Sequence, residues 1–79
     1  MTEPANTEAR IRGILHRVAH LDGPYGKSAD LFRDLGVKSM AALDLLLSLE
    51  EEFGVSIADK AFGEARSLGA LVSLVEGLR

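Results

Sequence analysis

The sequence of 79 residues contains no cysteine and no tryptophan, and only 5% of its residues are aromatic. The absence of cysteine excludes disulfides and thiolate metal sites, so the packing of a small core must stabilise the fold. No apolar run approaches the roughly 20 residues of a membrane-spanning helix, and the N-terminus lacks the apolar segment of a signal peptide. We therefore expect a cytoplasmic protein without an integral membrane segment.

Positive charge is also scarce, since the net charge is −3. Residues 1–40 carry six basic and five acidic side chains, whereas residues 41–79 carry three basic and seven acidic ones. Nucleic-acid binding requires a clustered excess of Lys and Arg, so we expect no nucleic-acid partner. A helix-turn-helix DNA-binding domain is an alternative that this charge disfavours. The acidic second half is suited to binding a basic partner protein.

The hydrophobic fraction of 47% and the charged fraction of 27% are typical of a folded domain. Residues 1–6 lack apolar periodicity and predict a flexible N-terminal tail, with Asn6 or Thr7 as the N-cap of the first helix. Residues 7–79 are predicted to form one domain. Its first helix has an apolar stripe at helical spacing, made of Ile11, Ile14, Leu15, Val18 and Leu21.

The remaining residues predict a long connection and three more helices. Residues 22–38 contain turn-forming residues and the apolar anchors Leu31, Phe32 and Leu35, which predict an ordered loop. Ser39 is the expected N-cap of a second helix that runs to about Phe53. Asp59 is the expected cap of a short helical turn to about Glu64, and Ser67 that of a last helix. The predicted fold is all-α, a four-helix bundle of three main helices and one short helix.

The second helix has two apolar stripes, and a single buried face accounts for only one of them. The first stripe consists of Ala42, Leu45, Leu46, Leu49 and Phe53. The second, Met40, Leu43 and Leu47, lies about 140° around the helix. Both stripes could be buried in so small a bundle. The acids beside the second stripe, Asp44, Glu50 and Glu51, favour an exposed docking surface with an apolar centre and a charged rim, in which Met40 supplies an adaptable thioether.

The segment Asp34-Leu35-Gly36-Val37-Lys38-Ser39-Met40 resembles the signature of the acyl carrier protein family, Asp-Ser-Leu after Asp-Leu-Gly. The resemblance continues at residues 43–45, 49–54, 57–59 and 67–68, and with the first helix it covers nearly the whole chain. It implies a helical bundle of acyl-carrier type in which Ser39 covalently carries 4'-phosphopantetheine and acyl groups are held as thioesters on the arm's sulfur. Read alone, Ser39 would be an ordinary N-cap.

The resemblance also implies what such a protein does. A member of the family is a carrier and not an enzyme, so no catalytic residues are expected. Its partners are a phosphopantetheinyl transferase and the acyl-loading and acyl-transferring enzymes of fatty acid, lipid or secondary-metabolite biosynthesis. The partner-binding residues would be Lys38 and the exposed stripe with its acids, namely Met40, Leu43, Asp44, Leu47, Glu50 and Glu51. We expect a monomer.

Two positions depart from the family pattern. Lys38 stands where the family usually has Asp before the serine, and Ala41 stands where an acid is common two residues after it. Both differences weaken the negative surface near Ser39. We expect a specialised carrier with dedicated partners, and the alternative is that Lys38 is a harmless solvated substitution.

Other functions stay open at this point. The chain could be an aminoacyl, peptidyl or polyketide carrier, or an interaction adaptor that lacks the arm; its Met1 start favours a free-standing protein. Residues 23–28 look like a phosphate-binding loop, but their glycines are too close together and a helix precedes them. His16 and His20 are spaced to share a metal but have no third ligand nearby, so we expect no metal site.

Overall fold

The computed structural model describes residues 4–79, with side chains from Thr7 onward. These residues form four helices and no strand: α1 (Pro4–Ala19), α2 (Ser39–Phe53), α3 (Asp59–Glu64) and α4 (Leu68–Leu78). The prediction of an all-α bundle with three main helices and one short helix is confirmed. Residues 1–3, half of the predicted tail, lie outside the described residues.

The first helix differs from its predicted bounds at both ends. It begins at Pro4, so the prediction of a cap at Asn6 or Thr7 is wrong, and residues 4–6 are helical. Proline suits the first helical position because its missing N–H would have no partner there. The helix ends at Ala19 because His20 adopts the left-handed conformation, with φ 57°. Leu21 therefore lies beyond the helix, although it still packs against the core.

The N-caps of α2 and α3 lie one residue earlier than predicted. Lys38 and Ala58 hold the extended backbone of the cap position, and neither helix has a side-chain cap bond, so Ser39 and Asp59 are the first helical residues. The predicted cap of α4 is confirmed, because the Ser67 hydroxyl accepts a hydrogen bond from the Ala70 N–H at 3.2 Å. At the other end of α2, Gly54 ends the helix with φ 64°.

The core lies between α1, α2 and α4: α1 packs against both α2 and α4, and all three helices contribute buried apolar residues. The first stripe of α2 faces the core, and its residues Leu45 and Leu49 are buried. The other buried core residues are Ile11, Ile14, Leu15, Leu31, Val37, Ile57, Ala65, Leu68, Leu71 and Val75. None of the helices in residues 4–79 combines the length and apolar character needed to cross a bilayer.

The long connection between α1 and α2 is ordered by backbone hydrogen bonds to the far side of the bundle. The Leu31 N–H donates to the Arg66 carbonyl at 2.7 Å, and the Gly69 N–H donates to the Lys27 carbonyl at 2.9 Å. Leu31 is fully buried, as predicted for an anchor. The loop is therefore fastened to the start of α4, and its end presents the first turn of α2 in a fixed place.

Candidate functional site

Ser39 stands at the exposed start of α2, at the end of a tightly held segment. Gly36 adopts the left-handed conformation with φ 75°, which a residue with a Cβ rarely takes. Val37 follows, buried and with its N–H donating to the Leu31 carbonyl at 2.9 Å. Lys38 then turns the chain into the helix, and its carbonyl accepts from the Ala41 N–H. The loop thus fixes the position of the serine while leaving its side chain exposed.

The first turn of α2 has no partner for its positive end. The turn contains no acidic residue, and none of the side chains from Thr7 onward caps it. Within the described residues, the Ser39 hydroxyl makes no hydrogen bond, so the interpretation of Ser39 as an ordinary N-cap is wrong. Helix N-termini attract anions through their unpaired N–H groups and the helix dipole. The N–H groups at the start of α2 would favour a phosphate group linked to Ser39.

The second apolar stripe of α2 is exposed, which answers the question left open by the sequence. Met40 is 81% exposed, Leu43 62% and Leu47 48%. Asp44 and Glu51 are exposed beside them. Large apolar side chains in a contiguous group on a small domain often mark an interaction surface. We call Met40, Leu43 and Leu47 with Asp44 and Glu51 the α2 surface.

Glu50, expected to be part of the docking rim, is only half-exposed and has a role within the fold. Its Oε2 accepts a hydrogen bond from the Ile57 N–H at 2.8 Å. This contact joins the last turn of α2 to the segment before α3. One carboxylate oxygen is thus occupied by the fold, while the neighbouring Glu51 projects outward.

An ion pair between Asp30 and Arg66 fastens the loop that leads to Ser39. Arg66 donates to both Asp30 oxygens, at 2.8 and 3.2 Å. The Asp30 Oδ1 also accepts from the backbone N–H groups of Phe32 and Arg33. The Arg66 hydrogen bond, with those from the Arg33 and Phe32 N–H groups, lowers the pKa of Asp30 to about 2. The ionised form of Asp30 is the one that makes these contacts.

A groove of about 510 Å³ opens beside Ser39, between the end of α1 and the first turns of α2. Its lining includes the apolar residues Val18, Ala19 and Ala41 and the polar residues His20, Lys38 and Asp44. Sequence reasoning missed this groove. It arises where two segments about 20 residues apart meet, and the small side chains of Ala19 and Ala41 leave the space.

Comparison with known proteins decides the family. The sequence model described as "Phosphopantetheine attachment site" matches residues 9–75, most of the chain. The chain belongs to the acyl carrier protein family. The resemblance seen in the sequence is confirmed, and the cofactor of the family is 4'-phosphopantetheine. The family is one of carriers.

Individual acyl carrier proteins show the same relationship. The chain is 42% identical over 43 residues to the mitochondrial acyl carrier protein of Saccharomyces cerevisiae, spanning 54% of this chain and 34% of that protein. It is 28% identical over 64 residues to that of Dictyostelium discoideum, spanning 81% of this chain and 53% of that one. The chain thus spans about a third to a half of the length of these relatives.

A solved structure shares the fold. The likeness to a protein assigned as an acyl carrier protein of Mycobacterium tuberculosis has a TM-score of 0.82 and 24% identity, and it covers 90% of this chain and 96% of that one. At this identity the likeness speaks for the fold alone. It supports the helical bundle described above.

The residues around Ser39 fit the phosphate end of the family's cofactor. The site offers an exposed hydroxyl with no hydrogen bond and a helix N-terminus without a side-chain cap. The Lys38 ammonium group belongs to the residue immediately before Ser39. Within the described residues, no three His, Asp or Glu side chains lie close enough together to bind a metal ion.

Proposed function

We propose that this acyl carrier protein carries 4'-phosphopantetheine on the Ser39 hydroxyl and presents acyl groups to partner enzymes without catalysis of its own. The observation that supports this most is the exposed Ser39 side chain, without a hydrogen bond, at the uncapped start of α2. When bound, the arm supplies a terminal thiol that holds an acyl group as a thioester. The chain's own residues position the serine and bind the partners.

Three features of the first turn support Ser39 as the attachment point. Gly36 and the buried Val37 fix the approach of the chain, so that the hydroxyl is held clear of the bundle. The unpaired N–H groups of the turn favour a phosphodiester at that position. Lys38 adds a positive charge that reduces the repulsion between the phosphodiester and the acids farther along α2.

The α2 surface is proposed to dock the partners, which include a phosphopantetheinyl transferase and acyl-loading and acyl-transferring enzymes. Its apolar centre would be desolvated by a partner, and its acids would pair with basic residues there. Lys38 reverses the charge at the edge nearest Ser39, so a partner suited to this protein would carry an acidic or neutral group at that point. Glu50 would contribute through the oxygen not bonded to Ile57.

The role in biosynthesis is proposed at the level of acyl transfer for fatty acids, lipids or secondary metabolites. The cytoplasmic location and monomeric state expected from the sequence belong to the same proposal. An aminoacyl, peptidyl or polyketide carrier would use the same arm on the same serine. An adaptor without the arm is the alternative from a different class, and the experiment below separates it.

Coexpression with a phosphopantetheinyl transferase, followed by intact mass measurement, tests the proposal. The wild type should gain one phosphopantetheinyl group, and Ser39→Ala should gain none. Ser56→Ala, which removes another exposed serine, serves as the matched control and should still be modified. Because the chain has no cysteine, the modified protein should acquire its one maleimide-reactive thiol with the arm. An unmodified wild type that still binds partner enzymes would favour the adaptor.

A further inference from the structure

Met40 exposes a thioether to solvent at the start of α2. Of the large apolar side chains from Thr7 onward it is the most exposed, at 81%. It follows Ser39 directly and belongs to the α2 surface, one helical turn before Leu43. Among the residues that the structure describes, it lies outside the core cluster. Its sulfur therefore belongs to the surface assigned to partners and not to the packing of the bundle.

Sulfur is rare in this sequence, which makes Met40 chemically distinct. There is no cysteine, and the methionines are Met1 and Met40. A solvent-exposed thioether is open to oxidation to the sulfoxide by peroxides. Before the arm is attached, no thiol of the chain competes for the oxidant. An oxidant that reaches this protein therefore has an accessible sulfur in the middle of its functional surface.

The surroundings of Met40 suit the oxidation electrostatically. With hydrogen peroxide, a sulfur lone pair attacks one peroxide oxygen, so that an S–O bond forms and the O–O bond breaks. The transferred oxygen loses its proton, which joins the departing hydroxide to give water; the sulfur is oxidised and the peroxide is reduced. Negative charge develops on the departing oxygen. The N-terminus of α2, without a side-chain cap, and Lys38, which lines the same groove as Met40, favour charge of that sign.

We propose that Met40 is a reversible oxidation site and that its sulfoxide weakens the docking of partner enzymes on the α2 surface. This inference rests on the proposed function, since it requires a partner that docks there. Oxidation converts a flexible apolar side chain into a polar one. A partner that covers Leu43 and Leu47 would then have to desolvate the sulfoxide oxygen beside them, which is unfavourable without a hydrogen bond. The exposure of Met40 also leaves the sulfoxide accessible to a methionine sulfoxide reductase, which restores the thioether.

The test treats the protein without its arm with hydrogen peroxide and then with catalase. Peptide mapping by mass spectrometry should find an added oxygen on Met40. The kcat/KM for modification by a phosphopantetheinyl transferase with coenzyme A should fall on the order of tenfold, and a methionine sulfoxide reductase should restore it. Met40→Leu is the matched control, because it keeps Met1 and an apolar side chain of similar volume but has no sulfur at position 40. Its treated and untreated samples should have the same kcat/KM.

Urea unfolding of the treated wild type supplies a second measurement. Because Met40 lies outside the core cluster of the described residues, its oxidation should leave the free energy of unfolding unchanged. A lowered stability that accounts for the slower modification would show that oxidation acts through the fold, and would overturn the docking explanation.

The remaining outcomes separate this inference from the proposed function. An untreated wild type that never takes the arm refutes the attachment at Ser39 and this inference with it. If the untreated protein takes the arm and the Met40 sulfoxide form takes it equally fast, only this inference is wrong. Equal losses in the wild type and in Met40→Leu would assign the effect to another residue and refute it as well. So would a Met40 that stays unoxidised under conditions that convert free N-acetylmethionine to its sulfoxide.

Discussion

The Glu50 side chain accepts a hydrogen bond from the Ile57 N–H at 2.8 Å, and so joins the end of α2 to the segment that leads into α3. Ile57 is buried, at 6% exposure. Its N–H has little access to water if the carboxylate is removed. Glu50 is therefore a stabilising residue of the bundle, while its neighbour Glu51 points to solvent.

Glu50→Ala should lower the free energy of unfolding by about 1–3 kcal/mol, because a partly buried donor loses its acceptor. Glu51→Ala is the matched control and should change stability by less than about 0.5 kcal/mol. Urea unfolding followed by circular dichroism measures both. Equal stabilities of the two variants would show that the contact with Ile57 contributes nothing.

The contrast between these two glutamates shows where sequence reasoning ends. Helical periodicity and capping residues predicted the four helices, and the angular positions of the side chains around α2 separated its two apolar stripes. Periodicity describes each helix alone. Periodicity therefore assigned Glu50 and Glu51 to the same docking surface. It did not predict the contact between Glu50 and Ile57, because that contact depends on the turn at Gly54 and on tertiary packing.

The site at Ser39 also combines features that the local sequence predicts with features that depend on tertiary packing. The sequence placed Ser39 at the start of a helix, because serine is favoured at that position. It assigned the cap to Ser39, but the extended residue is Lys38, one position earlier. The Asp30–Arg66 pair, 36 residues apart in sequence, and the groove between α1 and α2 have no local signal.

Gly36→Ala should destabilise the protein by about 1–2 kcal/mol, the cost of a left-handed conformation for a residue with a Cβ. A Cβ at this position meets no atom within 4 Å, so the effect comes from the backbone alone. Gly13→Ala in α1, also without a close neighbour, should instead stabilise by about 0.5–1 kcal/mol. Thermal unfolding of the pair checks the opposite signs, and a neutral Gly36→Ala would contradict the role of the turn.

The ion pair between Asp30 and Arg66 predicts a loss of stability in acid. The pKa of Asp30 is lowered from 3.8 to about 2 in the folded protein, chiefly by the Arg66 hydrogen bond. A lowered folded pKa means that this stabilisation is complete above pH 4 and is lost as the pH falls from about 4 to about 2. Asp30→Asn should be less stable at pH 7 and should show a flatter pH dependence in this window. Unfolding by urea at several pH values measures this, and parallel curves for the two proteins would contradict it.

Lys38→Asp should increase modification by a general phosphopantetheinyl transferase of fatty acid synthesis. The substitution restores the acid expected before the serine, and kcat/KM should rise on the order of tenfold through faster association with a basic partner. The gain should shrink at high salt because charge steering is screened. Lys60→Asp, an equal charge reversal at an exposed position of α3, is the control and should have a much smaller effect. Similar rates for wild type and Lys38→Asp would support the interpretation of Lys38 as a harmless solvated substitution.

Leu43→Ala tests whether the exposed stripe of α2 docks partners or is merely uncovered. Leu43 is 62% exposed, so its truncation should change the free energy of unfolding by less than about 0.5 kcal/mol. If it lies at the centre of an interface, the same truncation should weaken transferase binding by about 1 kcal/mol or more, seen as a higher KM with little change in kcat. Leu78→Ala on α4 removes another exposed leucine, 44% exposed and outside the stripe, and should leave the KM unchanged. If Leu43→Ala and Leu78→Ala both have the KM of the wild type, the transferase does not use this surface. Removal of an apolar anchor from a desolvated interface would raise the KM.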